Sequence, residues 1–258
     1  MNKNILITGA ASGIGKATAE YFHQRGWQIG LLDINQESLT KFSQSLGAER
    51  VWQQAIDVTD QTAVQQALSE FCALNDGQLH VLFNCAGILA LGAFESIPLE
   101  KHQQIFNINI NGLMNLCYQA QPFLKKTGQA CVINMSSASA SYGVPYLASY
   151  SASKFAVKGL TEALNIEWQK HDIRVCDVMP PFVDTPMLQQ QGNSAPALQR
   201  LGVKLSAESI AQTVWRSAHN NRYSKVHYPV SLFLKSIILL SKLSPASVNR
   251  RVMQKIGT

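Results

Sequence analysis

A chain of 258 residues, 46% of them apolar and 15% charged, can bury a substantial core, and its length fits one α/β domain over residues 1–258. The net charge of +6 is unevenly placed: residues 200–258 hold ten Lys/Arg against one acid, Glu208, while residues 1–199 hold twelve against fifteen acids. The body has no basic stripe, which argues against nucleic acid as a partner.

The five cysteines, Cys72, Cys85, Cys117, Cys131 and Cys176, are scattered and form no CxxC pair. They read as buried thiols of a cytoplasmic protein, with neither a metal site nor disulfides expected. The first apolar run, Ile5-Leu6-Ile7, is too short for a signal peptide.

In chain order, Asn4–Thr8 predicts a strand, followed by Gly9-Ala-Ala-Ser12-Gly13-Ile14-Gly15 and a helical stripe of Ala17, Thr18, Tyr21 and Phe22. A strand that ends in a glycine turn and opens a helix presents backbone N–H groups to a pyrophosphate. Glycine is needed there because a Cβ would block the backbone's close approach. Trp27 to Asp33 predicts a second strand ending in a carboxylate. An acid at that point accepts both hydroxyls of an adenosine ribose and repels a 2′-phosphate, so Asp33 favours NAD over NADP. A helix over 36–46 and a strand over 51–56 follow, then Asp57-Val58-Thr59 and a helix striped by Val64, Ala67, Leu68 and Phe71. His80 to Gly87 predicts a fourth strand running into a glycine turn, which brings Asp57 and Asn84 towards the adenine side of a crevice.

Residues 99–126 predict a long helix interrupted by Asn107, Asn109, Asn111 and Gly112. Three amides beside a glycine in an apolar helix need partners, which points to a kink or a water-holding site. Ala130–Met135 predicts a fifth strand that delivers Ser136 and Ser137 to the crevice. Tyr150 and Lys154 then stand four residues apart at the start of a helix over 149–170, on one face. A phenol ordinarily titrates near ~10, and a nearby ammonium favours its phenolate, so Tyr150 is a candidate general acid/base. Ile173–Met179 predicts a sixth strand, stopped by Pro180-Pro181, and 225–228 a seventh.

The alternation predicts a doubly wound, Rossmann-type three-layer fold with a mostly parallel seven-stranded sheet. Residues 184–205 read as a substrate lid, and 206–218 as a helix. Residues 230–243 are strongly apolar but carry Lys235 and Lys242, and lie between Pro229 and Pro245. That run is too short to span a bilayer. The basic, apolar segment 229–258 reads as a flap over the substrate, a subunit interface, or a helix resting on a membrane surface.

The motifs Thr8-Gly-Ala-Ala-Ser-Gly-Ile-Gly15, Asp57, Asn84-Cys-Ala86-Gly87, Asn109, Ser137, Tyr150-Ser-Ala-Ser-Lys154 and Pro180-Pro-Phe-Val183-Asp-Thr185 stand in order. In them the chain resembles the classical short-chain dehydrogenase/reductase family. The resemblance implies a catalytic set of Asn109, Ser137, Tyr150 and Lys154. Tyr150 would exchange a proton with the substrate oxygen, and Ser137 would hold that oxygen. Lys154 would lower the phenol pKa and bind the nicotinamide ribose, and Asn109 would hold a relay water. Val183 and Thr185 would meet the nicotinamide carboxamide, Asp57 and Val58 the adenine, and Asn84 the adenosine side. Cys85 stands where the family has a second Asn, which implies one lost polar anchor of the sheet. Pro181 stands where it has glycine.

The resemblance further implies a homodimer or homotetramer built on the helices at 99–126 and 149–170. Apolar residues near the site, Ala138, Tyr142, Val144, Tyr146, Phe182 and Met187, favour a hydrophobic secondary alcohol or ketone as substrate. The alternatives are an NADPH-dependent carbonyl reductase and a non-catalytic nucleotide-sensing or scaffold protein.

Overall fold

Short runs, most of them aliphatic, become the strands of one sheet. In chain order they are β1 (Asn4–Thr8), β2 (Gln28–Asp33), β3 (Val51–Ala55), β4 (Val81–Asn84), β5 (Ala130–Met135) and β6 (Ile173–Met179). A small separate pair, β7 (Val183–Asp184) with β8 (Leu205–Ser206), precedes the last strand, β9 (His227–Pro229). The computed structural model describes residues 3–189, 200 and 205–257.

The sheet order is β3-β2-β1-β4-β5-β6-β9, and every neighbouring pair is parallel. The expectation of a mostly parallel sheet thus sharpens to a wholly parallel one among the described residues. Strand order reverses between β1 and β4, and the crevice beyond their carboxyl ends is where such sheets bind ligands. Strands β1, β4, β5 and β6 are buried along their whole length, which is why they read as continuous apolar runs and not as alternating ones.

The helices are α1 (Gly13–His23), α2 (Gln36–Leu46), α3 (Gln61–Ala73), α4 (Leu99–Phe106), α5 (Leu113–Thr127), α6 (Ala148–Glu167), α7 (Pro186–Gln189) and α8 (Ala207–Ala218). One face of the sheet packs on α1, α2 and α8 through Phe22, Leu39, Phe42, Ile210 and Val214. Phe22, Trp27 and Trp215 meet edge to face there, with centroids 4.9–5.8 Å apart. The other face packs on α3, α5 and α6 through Leu68, Phe71, Leu116, Leu124 and Val157.

The helix expected over 99–126 is not continuous. Between α4 and α5 the chain makes a π-turn, Asn107–Gly112, so the inconsistency of three amides beside a glycine is resolved by widening the helix. Gly112 is required in it, because a Cβ there would lie 2.5 Å from Val58 Cγ2. The helix expected over 149–170 ends at Glu167, followed by a 3-10 turn and left-handed Asp172 at φ 57°. Most of the expected lid, residues 190–199 and 201–204, lies outside the described residues.

A buried polar bridge ties β4, β5 and α6 together. Asn84 Nδ2 donates to Asn134 Oδ1 at 2.9 Å, and Asn134 Nδ2 donates to Thr161 Oγ1 at 2.9 Å. This corrects two expectations. The side chain of Asn84 points into the sheet and α5, where Nδ2 also meets Cys117 Sγ, so it does not face the adenosine side. Asn84 is itself the polar anchor of the sheet, and Cys85 removes none: it packs against the apolar core.

Beyond β9, two further helices, α9 (Leu232–Leu243) and α10 (Ala246–Gly257), turn at Ser244-Pro245. Asn249 Nδ2 donates to the Ser241 carbonyl at 2.8 Å and holds the pair together. Pro229 and Pro245 bracket α9 as the sequence implies.

Candidate active site

The floor of the crevice is the glycine turn after β1. Gly9 and Gly13 hold φ of +66° and +51°, conformations that L side chains rarely adopt. Gly15 is fixed by contact: a Cβ there would lie 2.1 Å from the Gly9 carbonyl oxygen. Ser12, the N-cap of α1, makes no side-chain cap bond, and the first turn of α1 holds no acid. Apart from the Gly15 N–H, which bonds the Cys85 thiol, the N–H groups of this turn are therefore open to an outside anion. Ile14 is half-buried and packs against the core.

The later motifs close on this turn. Thr8 Oγ1 accepts from Cys85 N and Ala86 N, each at 3.0 Å, and a Cβ on Gly9 would lie 3.0 Å from Ala86 Cα. A Cβ on Gly13 would lie 3.3 Å from Thr185 Cγ2, which puts Thr185 over the glycine turn. Val183 is buried in the core. The Pro180 carbonyl accepts from Ala138 N at 2.8 Å and joins the β6 end to the serine loop.

Asp33 stands at the end of β2 with Oδ2 accepting from Ala11 N and Oδ1 from Asn35 N, both at 2.9 Å. These bonds orient the carboxylate beside the glycine turn and leave lone pairs for further donors. Asp57 is exposed, with Oδ1 accepting from Thr59 N and Oγ1 at 2.8 Å. Val58 turns its side chain inward onto Gly112, and its carbonyl accepts from Asn115 Nδ2 at 3.0 Å. A contact of Val58 with adenine would therefore use its backbone.

The four residues of the expected catalytic set converge. Tyr150 is in the first turn of α6, and the Ser137 hydroxyl is within hydrogen-bonding reach of its phenol. Ser137 Oγ also accepts from Ser139 N at 3.2 Å, which fixes its rotamer at the start of a 3-10 turn. Lys154 Nζ is buried and donates to the Met135 carbonyl at 2.7 Å; it lies 5.6 Å from the Tyr150 ring centroid. A Cβ on Gly87 would lie 3.0 Å from Asn109 Oδ1 and 3.8 Å from Lys154 Nζ, so Gly87 keeps the space between them open.

Burial acts on both titrating side chains of the set. Burial dominates and pushes Tyr150 up to about 12, with the Ser137 hydrogen bond acting the other way. Burial also pushes Lys154 down to about 8, with no carboxylate beside it to hold its proton. Asn109 uses both amide hydrogens on protein, Nδ2 donating to the Ile88 carbonyl and Ser153 Oγ at 3.0 Å, while Oδ1 accepts from Ile88 N at 2.8 Å. The side chain thereby clamps the loop after Gly87 to α6, and Oδ1 retains one lone pair that can accept from a water.

Several contributors escaped the sequence reading. Thr8, Ser153 and Leu91 belong to the site by contact alone. Leu91 joins Phe182 and Leu188 in a small apolar cluster beside it. The run Ile88-Leu-Ala-Leu91 is apolar without strand or helix periodicity, and that is the only signal that marked it as a wall. Tyr142 and Val144 are half-buried, and Tyr146 is exposed in a left-handed conformation, φ 65°. A tyrosine held there costs on the order of 1 kcal/mol or more, and such strain recurs at ligand sites.

A parallel sheet with its switch point over a glycine cradle, and a Ser–Tyr–Lys group beside it, define a nucleotide-binding oxidoreductase. The chain belongs to the short chain dehydrogenase family, whose model matches residues 3–195. A 3-ketodihydrosphingosine reductase of Bacteroides thetaiotaomicron is 38% identical over 181 residues, 70% of this chain and 64% of that protein's length. A short-chain dehydrogenase/reductase of Burkholderia phymatum in complex with NAD shares the fold, with a TM-score of 0.82 at 23% identity over 93% of this chain and 92% of its own. ElxO with NADP bound superposes with a TM-score of 0.80 at 25% identity, covering 89% of this chain and 97% of its own.

The residues present fit a dinucleotide. The Gly9 and Gly15 contacts show a cradle that any side chain would fill, α1 presents uncapped N–H groups, and a ribose-height carboxylate stands at the end of β2.

Proposed function

We propose that this chain is an NAD(H)-dependent oxidoreductase that transfers a hydride between the nicotinamide and a hydrophobic secondary alcohol or ketone, with Tyr150 as acid/base. The convergence of Tyr150, Ser137 and Lys154 beside the glycine cradle carries the reading. When bound, the nicotinamide supplies the hydride chemistry. The Tyr150 phenol and the Ser137 hydroxyl meet the oxygen on which alkoxide-like charge develops, and Tyr150 donates the proton in reduction or accepts it in oxidation. Lys154 binds ribose hydroxyls and keeps positive charge beneath the ring. Asn109 holds the Gly87–Ile88 backbone in place.

Asp33 supports NAD over NADP, since a 2′-phosphate would meet its carboxylate. The apolar cluster of Leu91, Phe182 and Leu188 supports a hydrophobic substrate, as does similarity to a reductase named for an amphiphilic ketone. The test is turnover with NADH and NADPH on ketones of graded chain length. NADH should be preferred about ten-fold or more, Asp33→Ala should erase most of that preference, and rate should rise with chain length. A preference for NADPH in the parent protein would overturn the cofactor assignment.

We also infer a second copy packed on the outward faces of α5 and α6, where Met114, Tyr118, Phe155 and Ile166 are exposed. Sedimentation velocity at micromolar concentration should show a dimer or larger species that Tyr118→Glu weakens. A monomeric parent protein removes this inference.

A further inference from the structure

We propose that α9 and α10 form a docking surface for an anionic lipid bilayer. In α9, Leu232 and Leu243 are 79% and 76% exposed, and Phe233, Leu239 and Leu240 are each 60% exposed or more. At 3.6 residues per turn these five, with Ile237, fall within an arc of roughly 160°. The opposite side of the helix is the one that seats it. Leu234 is buried there, Ile238 and Ser241 are half-buried, and Val230 N bonds the Met179 carbonyl just ahead of the helix. Among the described residues these leucines are left uncovered by the rest of the chain, and an apolar face of this kind, with Ser236 the exposed polar residue within it, marks an interaction surface.

Charge decides which partner fits. Residues 230–257 contain five Lys/Arg and no Asp or Glu. Lys235 borders the apolar arc of α9, and Arg250, Arg251 and Lys255 are exposed on α10 together with Val248 and Val252. Two copies meeting through this face would bring like charges together in an apolar contact, which is unfavourable. At a bilayer the same pattern is complementary: leucine and phenylalanine enter the acyl boundary while lysine and arginine reach lipid phosphates. The helix lies on the membrane and does not cross it, since no helix among the described residues is long and apolar enough to span one. Vesicle binding is read without turnover and turnover without vesicles, so either assignment can fail without the other.

The experiment is co-sedimentation of the full chain with phosphatidylcholine vesicles, with and without about 30% phosphatidylglycerol. Most of the protein should pellet with the anionic vesicles, and about ten-fold less with pure phosphatidylcholine or at high salt. The pair Leu240→Ser and Leu243→Ser, at exposed positions, should lower pelleting about ten-fold with the thermal midpoint unchanged. Lys235→Glu with Arg251→Glu should remove the dependence on phosphatidylglycerol. Equal recovery in the supernatant with and without vesicles overturns the proposal, as does pelleting that the leucine pair leaves unchanged. So does a leucine pair that dissociates an oligomer of a parent protein that binds no vesicles, since the face would then belong to a second copy.

Discussion

Tyr150→Phe is expected to lower turnover about 10²- to 10⁴-fold, the range that a positioned proton donor contributes, with cofactor affinity almost unchanged. The substitution removes only the hydroxyl; the ring stays in the first turn of α6, and the backbone around it keeps its bonds. With the phenol pushed up to about 12 by burial, the group is protonated at neutral pH and poised as an acid for carbonyl reduction. Alcohol oxidation needs the opposite state, so that direction should gain rate as pH rises while reduction does not. The measurement is NADH turnover with a ketone in one direction and with an alcohol in the other. A Phe variant with near-parent turnover would sink the assignment of Tyr150.

What could be read ahead of the structure followed how local the signal was. The strand–glycine turn–helix unit and Asp33 are short-range patterns whose geometry is fixed by backbone sterics, and they fold as they read. The position of Asn84 at a strand end was legible, but not the face on which its side chain lies: alternation along β4 sends it to Asn134 and Cys117, away from the crevice. Spacing placed Tyr150 and Lys154 on one helix face, yet spacing cannot say that Nζ reaches across to the Met135 carbonyl, a partner 19 residues away. Likewise, three asparagines near Gly112 announced a disturbed helix without revealing that Asn109 clamps Ile88 and Ser153. Burial, the dominant influence on both catalytic pKa values, is a tertiary quantity that no local pattern contains.

Lys154→Met is expected to separate stability from activity. The ammonium is buried beside Tyr150 with one carbonyl partner, and its pKa falls from 10.5 to about 8. Such a difference between unfolded and folded chains corresponds to about 3 kcal/mol of destabilisation. Below pH 8 both states hold the proton, so the whole penalty is present. Between pH 8 and 10.5 the folded protein gives up a proton that the unfolded chain keeps, so the parent gains stability as pH rises and the penalty is gone above that window. Methionine fills similar volume without the charge and forfeits one hydrogen bond worth about 1 kcal/mol. The variant should therefore be more stable than the parent by about 2 kcal/mol at pH 7, with the gap closing by pH 10. The buried thiols Cys72 and Cys117 also titrate at high pH, but both proteins contain them, so they cancel to first order in the difference; Tyr150 and Cys85, which lie beside Lys154, are pushed up to about 12, above the pH range compared. Urea unfolding of both cofactor-free proteins at pH 7 and pH 10 checks this. Turnover of the variant should fall about 10²-fold or more, because the charge beneath the cofactor ribose and the phenol is gone. A Met variant less stable than the parent at pH 7, or a stability gap indifferent to pH, would show that Lys154 is held by something other than the site's need for its charge.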